Sequence, residues 1–231
     1  MKTTRIVVVV LFLVFTIVEL YAAFTNQSAI KFISTPVLMP LLGIFYLVSA
    51  RKKNWLVVAA LAFSLLGDVL NQWQANEDVF MIEIGAFLLA LICYIITLNQ
   101  PISHLRKVNP FMYVLVVVYV AYGIVTYLML RSYLGEMELP AVIYFAIVLL
   151  MSFSALTRGG QFRSYSFWLP LVGSILFVAS DTLLAVNAFE YHGQMKYGDF
   201  LTTLFYIPAQ VMIVLGLAST METPAKHGAT A

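Results

Sequence analysis

The sequence predicts an all-α integral membrane protein whose helices cross the bilayer several times, and three observations predict it. Hydrophobic residues make up 62% of the 231-residue chain and charged residues 10%, whereas a soluble domain is about half apolar and a quarter charged. The apolar residues form runs about 20 residues long, the length that a helix needs to cross the hydrocarbon of a bilayer. The polar stretches between the runs are too short for a soluble domain. Residues 1–231 are therefore predicted to form a single transmembrane helical domain.

Eight apolar runs are predicted to be transmembrane helices, each bordered by a polar or turn-forming stretch such as RKKN or TRGGQFRS. The first run resembles a signal peptide, but its length, Glu19 and the lack of a small-residue cleavage pattern favour a retained helix. Because the connections are short, consecutive helices are expected to be antiparallel neighbours. The predicted spans are Arg5–Phe24, Phe32–Ala50, Asn54–Gln72, Asp78–Leu98, Pro110–Leu130, Leu139–Thr157, Ser166–Phe189 and Gly198–Ser219.

The distribution of Lys and Arg predicts that both termini lie on the cytoplasmic side, because cytoplasmic loops are enriched in these residues. With the N-terminus inside, every inner segment is basic. The outer loops carry only Lys31, Arg131 and Lys196 among the 13 basic residues of the chain. The simplest location is a bacterial inner membrane, although an ER-type membrane would show the same pattern. The net charge of +2 gives no reason to expect a nucleic acid partner.

The chain contains a weak internal repeat. A shift of 113 residues places FSLLGDVL (Phe63–Leu70) on LFVASDTL (Leu176–Leu183), so that Asp68 falls on Asp181. The same shift places GAFLLALICY on GDFLTTLFYI. Two four-helix units in parallel orientation are one explanation, and such repeats are common among transporters. Chance similarity between apolar segments is the alternative.

Four carboxylic acids lie inside the predicted spans, namely Glu19, Asp68, Glu83 and Asp181. An ionised side chain at the centre of a span costs at least about 2.5–3.5 kcal/mol on insertion scales, so such residues are candidates for function. With a rise of 1.5 Å per residue, all four are expected in the outer half of the bilayer, on helices that converge. Glu19 and Glu83 are expected close enough to the interface to be wetted. The catalytic candidates are therefore the two repeat-related aspartates.

Two carboxyl groups close together in a medium of low dielectric predict acid–base chemistry. They repel each other, which favours one protonated acid beside one carboxylate. This is the equipment of a general acid paired with a general base. The alternative is that Asp68 and Asp181 hydrogen-bond neighbouring helices and fix their packing.

Other polar side chains of the spans are candidates to bind a substrate near the acids. Asn187, six residues after Asp181, is expected near the outer mouth of the site. The chain has no HExxH, CxxC, phosphate-loop or G-x-S-x-G motif, so neither a metal nor an organic cofactor is predicted. The full set of predicted substrate-binding residues is Glu83, Tyr94, Asn71, Asn187, Tyr206 and Gln210.

The chain resembles the YhhN-type lysoplasmalogenase family of eight-helix membrane proteins. The resemblance rests on the segments PVLMPLL, FSLLGDVL, GAFLLALICYI, GSILFVASDTLLA and YIPAQVMIVLG, with GD and SD in this order as its most specific part. Two positions depart from the family pattern. Thr35 stands where a Lys commonly precedes the proline of the second span, and Leu91 stands where a His commonly occurs three residues before Tyr94.

The resemblance implies hydrolysis of the vinyl ether bond of a lysoplasmalogen-type lysophospholipid to a fatty aldehyde and a glycerophospho-alcohol. The acid is assigned to Asp181 and the base to Asp68, although the reverse order suits the chemistry equally. No cofactor is needed, and the substrate is expected to enter from the surrounding membrane lipid. Two alternatives stay open: a proton-coupled carrier of lipids or small molecules, and an inactive family member that lacks the functions of the residues replaced by Thr35 and Leu91.

Overall fold

The computed structural model describes residues 2–50, 52–73, 77–100, 111–158 and 164–220, and within these ranges the secondary structure is helical. Three short helical turns, Asn71–Trp73, Gly135–Met137 and Val186–Glu190, extend or link the long helices. The long helices are α1 (Lys2–Thr25), α2 (Ser28–Ser49), α3 (Trp55–Leu70), α4 (Glu77–Leu98), α5 (Phe111–Leu134), α6 (Glu138–Leu156), α7 (Ser164–Ala185) and α8 (Gly198–Thr220).

Seven segments of the described residues are long and apolar enough to cross a membrane. One of them, Val114–Leu156, is 43 residues long and contains both α5 and α6. These two helices are separate and pack against each other. The turn Gly135–Met137 joins them, and Gly135 adopts there a φ of 52°, which glycine reaches without steric cost. The chain is a polytopic all-α membrane protein, while eight crossings and the orientation stay predictions. The predicted start of the fifth span, Pro110, lies outside the described residues.

The bounds of the second helix differ from those predicted. Helix α2 begins at Ser28 rather than at Phe32, directly after the link formed by Asn26 and Gln27. A hydropathy window ends where polar residues begin, but helical hydrogen bonding continues through them, so helices extend past their apolar part. Lys31 consequently lies in the first turn of α2 rather than in a loop.

Helix pairs α3–α4 and α7–α8 pack closely, and α8 also contacts α1 and α2. Glycines permit the close approach of α7 and α8. A Cβ atom on Gly173 would lie 2.9 Å from the Ala209 carbonyl oxygen, and one on Gly216 would lie 2.2 Å from Pro170 Cδ. Small residues commonly allow such contacts between membrane helices. The two close pairs are the ones that the sequence repeat relates, and duplication of a four-helix unit stays a prediction.

The helix directions place the four acids at one end of the bundle. Asp68 lies in the last turn of α3, and Asp181 lies about one turn before the end of α7. Glu19 occupies the second half of α1, while Glu83 lies in the second turn of α4. Since α4 runs back from the end of α3, its beginning lies beside the ends of the other helices.

Candidate functional site

Asp68 and Asp181 line the same polar cavity, which has a volume of about 80 Å³. Both side chains are buried, with 8% and 6% of their surface exposed. Glu19 also lines this cavity, as do the hydroxyl-bearing Thr35 and Tyr206. The helices therefore converge as predicted, and three of the four acids meet at one cavity. The catalytic roles of the two aspartates stay predictions.

A second and larger cavity of about 350 Å³ lies between α4, α5, α6 and α7. Its lining is mainly apolar and includes Phe80, Leu130 and Phe145. Three residues line both cavities, namely Phe87, Asp181 and Leu184. The Asp181 side chain thus lies at the boundary between the apolar cavity and the polar cavity. This is the position at which the polar and apolar parts of an amphiphilic molecule would meet.

The Asp181 carboxyl group is held by a residue that the sequence analysis did not identify. The Tyr144 hydroxyl, on α6, donates a hydrogen bond to Asp181 Oδ2 at 2.9 Å. Tyr144 also lines the apolar cavity. The only sequence signal was a tyrosine inside an apolar run, and the sequence has 13 tyrosines.

Beside the Asp68 carboxyl group, Tyr206 belongs to a hydrogen-bond network that continues into the core. The Tyr206 phenol lies beside the Asp68 carboxyl group. Gln210 Nε2 donates to Tyr206 Oη at 3.1 Å and to Ser64 Oγ at 3.0 Å, and the Tyr94 hydroxyl donates to Gln210 Oε1 at 2.6 Å. These bonds fix the Gln210 amide in one orientation and place Tyr206 beside Asp68.

Two of the predicted substrate-binding residues lie outside both cavities. Tyr94 and Gln210 are each 0% exposed and line neither cavity, so they lie behind the site and support Tyr206. Tyr206 itself faces the polar cavity, as does Asn71. A hydropathy pattern reveals that a polar residue lies in a helix, but it does not distinguish the residues that line a cavity from those that support them.

Glu83 is buried rather than wetted, with 1% of its surface exposed. Asn71 Nδ2 donates a hydrogen bond to Glu83 Oε1 at 2.7 Å, whereas Glu83 Oε2 is buried without a hydrogen-bond partner. The side chain lines the apolar cavity. It also lies close enough to Asp68 and Asp181 for electrostatic repulsion with each. Glu83 therefore belongs to the site, near both aspartates.

Glu19 was also expected to be wetted, and it too is buried, at 3% exposed. The Ser34 hydroxyl donates to Glu19 Oε2, and the Thr35 hydroxyl donates to Glu19 Oε1 at 3.0 Å. Thr35, the residue that departs from the family pattern, thus binds an acid at the polar cavity. The other departure, Leu91, is 0% exposed and lines neither cavity.

Lys31 is a cation at the polar cavity. It was expected in a loop, but α2 begins earlier than predicted and includes it. Lys31, one helical turn before Thr35, lines this cavity together with Gln72. Its Nζ atom pairs with Asp199 Oδ2 at 2.5 Å, and the Lys31 side chain is 22% exposed. The lining of this cavity therefore contains a positive group as well as carboxyl groups.

Asn187 lies apart from both cavities. Its Oδ1 atom accepts a hydrogen bond from the Met195 backbone N–H at 3.0 Å, and its Nδ2 atom donates to Asp199 Oδ1 at 3.3 Å. These contacts hold the connection between α7 and α8. The predicted place of Asn187 near the outer mouth stays a prediction, while its predicted contact with substrate has no support from this geometry.

Fold and site together define a polytopic membrane protein with a buried cluster of acids between an apolar and a polar cavity. The family model described as the YhhN family matches residues 27–217. The chain belongs to the YhhN family, which confirms the resemblance seen in the sequence segments. Searches of the curated proteins and of the solved structures gave no match.

Proposed function

We propose that this protein is a membrane-embedded hydrolase that cleaves the vinyl ether bond of lysoplasmalogen-type lysophospholipids. The observation that carries the proposal is the position of Asp181, which lines both the apolar and the polar cavity. Membership of the YhhN family favours the same class of enzyme. The products are a fatty aldehyde and a glycerophospho-alcohol.

The two cavities fit the two ends of such a substrate. The apolar cavity of about 350 Å³ is within the usual size of small-molecule sites and is suited to the hydrocarbon next to the ether. The polar cavity takes the phosphate end of the glycerol, and Lys31 offers a cation to the phosphate. The vinyl ether, which joins chain and glycerol, then lies beside Asp181.

The first step is a proton transfer to carbon. Asp181, in its protonated form, donates its proton to the outer alkene carbon, and the double bond shifts to form an oxocarbenium ion. The ionised Asp68 stabilises this cation and removes a proton from the water that attacks it. The product of this step is a hemiacetal, with Asp181 now ionised and Asp68 protonated.

The second step restores both acids. Asp181 removes the proton of the hemiacetal hydroxyl, while Asp68 protonates the departing glycerol oxygen. The carbon–oxygen bond to glycerol breaks, and the aldehyde and alcohol leave. The sum is addition of one water to one vinyl ether, so the chemistry needs only the two carboxyl groups, with Tyr144 and Tyr206 orienting them.

The test is aldehyde release from a 1-alkenyl lysophospholipid by the purified protein in detergent. Asp181→Asn and Asp68→Asn are expected to lower kcat by about 10²–10⁴-fold, the usual contribution of a positioned acid or base. Binding of the lysolipid should persist. Asp78→Asn, at the beginning of α4 and exposed, is the matched control and should keep full activity.

Three results would contradict the proposal in different ways. Well-folded protein that binds lysolipid and releases no aldehyde would favour an inactive family member. Transport that depends on pH in sealed vesicles, without aldehyde, would favour a carrier. Full activity in both aspartate variants would place the chemistry elsewhere in the chain.

A further inference from the structure

Glu83 is a buried acid with half of its hydrogen bonding satisfied. Its Oε1 atom accepts from Asn71 Nδ2 at 2.7 Å, while Oε2 has no hydrogen-bond partner and is enclosed by protein. The reaction scheme with Asp68 and Asp181 makes no use of this side chain. A buried carboxylate oxygen without a donor costs about 1–3 kcal/mol or more, because water no longer solvates it. One explanation for such a group is a ligand that supplies the missing donor when it binds.

The surroundings of Glu83 narrow the chemistry of that donor. Glu83 lines the apolar cavity, whereas its partner Asn71 lines the polar cavity. It also lies close enough to Asp181 for electrostatic interaction. A group that reaches Glu83 from the apolar cavity therefore lies near the alkene carbon that Asp181 protonates, whereas Lys31, where the phosphate is expected, lines the other cavity. An uncharged O–H donor next to the ether fits these conditions.

In a lysolipid one such group exists, the free hydroxyl on the central glycerol carbon, which is separated from the ether oxygen by two carbon atoms. We propose that Glu83 accepts a hydrogen bond from this hydroxyl and thereby selects lysolipids over lipids that are acylated at the same carbon. The inference rests on the proposed function and assigns the substrate feature that the site recognises. An acylated lipid brings no donor to Glu83, so it leaves the buried carboxylate unpaired.

The experiment compares two substrates, a 1-alkenyl lysophospholipid and its analogue with hydrogen in place of the central hydroxyl. The analogue is smaller, so any loss comes from the missing donor and not from a clash. A hydrogen bond to a charged group contributes about 1.5–3 kcal/mol. Wild-type protein should therefore prefer the hydroxyl substrate by about 10- to 100-fold in kcat/KM. In Glu83→Leu the preference should fall to within about threefold of unity, and Glu83→Gln, which keeps one acceptor, should be intermediate.

Glu138→Gln is the matched control. Glu138 accepts a hydrogen bond from the Tyr127 hydroxyl at 2.5 Å and does not line the apolar cavity. This variant makes the same chemical change outside the site, so it should keep the wild-type preference.

Binding provides a second measurement that needs no turnover. The affinities of a 1-alkyl lysophospholipid and its deoxy analogue should show the same preference in wild-type protein and its loss in Glu83→Leu. Equal handling of hydroxyl and deoxy compounds by wild-type protein would overturn the inference, and so would a preference that both Glu83 variants retain. If aldehyde release is absent while the binding preference depends on Glu83, the proposed reaction fails and the recognition stands.

Discussion

The Tyr144 hydroxyl donates a hydrogen bond to Asp181 Oδ2 at 2.9 Å, which links α6 to the acid at the boundary of the two cavities. The tyrosine ring lines the apolar cavity. Asp68 has a corresponding tyrosine in Tyr206, which is supplied by α8. Each aspartate thus lies beside a phenol on a neighbouring helix, and this arrangement makes the site sensitive to changes that leave both carboxyl groups in place.

Tyr144→Phe should lower kcat by about 10- to 100-fold and leave KM nearly unchanged. The substitution keeps the ring against the apolar cavity but removes the donor, so the Asp181 carboxyl group loses its orientation toward the alkene carbon. Steady-state aldehyde release measures both constants.

Tyr122→Phe is the control for this prediction. The Tyr122 hydroxyl hydrogen-bonds Thr182 Oγ1 at 2.8 Å, one residue after Asp181, and Tyr122 is 38% exposed. It should retain wild-type kcat. Equal losses in the two variants would show that any disturbance between α7 and its neighbours lowers the rate.

Gly67→Ala should displace the Phe87 ring, which lines both cavities. A Cβ atom on Gly67 would lie 2.6 Å from Phe87 Cε2, so the Phe87 ring would have to move. Because this ring lines both cavities, we expect kcat/KM to fall by about tenfold, with a loss of stability of about 1–3 kcal/mol from overpacking. Activity assays and thermal unfolding in detergent measure the two effects.

Gly85→Ala tests whether a glycine-to-alanine change elsewhere in α3 or α4 also lowers kcat/KM and stability. A Cβ atom on Gly85 has no heavy atom within 4 Å. Activity should stay unchanged, and Tm should stay equal or rise, because alanine stabilises a helix relative to glycine by about 0.5–1 kcal/mol. A similar loss of kcat/KM in both variants would exclude a role for the Phe87 ring.

Gln210→Leu should destabilise the fold and also slow turnover. The change removes the acceptor of the Tyr94 hydroxyl and the donor to Tyr206. Each buried polar group left unpaired costs about 1–3 kcal/mol, so Tm should fall clearly. Turnover should fall as well, since Tyr206 then orients Asp68 less precisely.

The comparison for Gln210→Leu is Gln194→Leu in the exposed connection between α7 and α8. This change should leave Tm and kcat close to wild-type values. An unaltered Tm in Gln210→Leu would mean that the network has no role in holding α8 against α3 and α4.

Lys31→Met should raise KM about tenfold for a substrate with a phosphate, with kcat nearly unchanged. In the proposed function this cation is expected to contact the phosphate, which takes no part in the reaction. The pair with Asp199 is partly exposed, at 22% and 34% for the two side chains, and contributes little to stability. KM values for an alkenyl lysophospholipid and for an alkenyl glycerol distinguish a loss of phosphate binding from a general disturbance of α2.

Alkenyl glycerol, which has no phosphate, should show the same KM in Lys31→Met and in wild-type protein. Lys196→Met is the matched variant, because Lys196 lies over the Tyr197 ring in the α7–α8 connection and does not line the polar cavity. A KM increase for both substrates would indicate a general disturbance of α2.

Much of the site was predictable because an acid inside a membrane helix is costly and therefore conspicuous. Asp68 and Asp181 stand out in apolar runs, and their distances from the ends of the runs placed them at one end of the bundle. Burial of Glu83 was not predictable, because its distance from the interface does not show which way its helix face points. Lys31 was missed because a hydropathy window excludes the polar first turn of α2.

The sequence by itself determined the class of the protein, the approximate bounds of its helices and the acids of the candidate site. These properties depend on composition and on local periodicity, because the hydrocarbon of a bilayer tolerates few polar residues in a helix that crosses it. The tertiary structure alone decided that Asp181 borders both cavities, that Tyr144 contacts it, and that Gln210 supports the site from behind. Contacts between helices depend on the rotation of each helix about its axis, and packing against several neighbours at once sets that rotation.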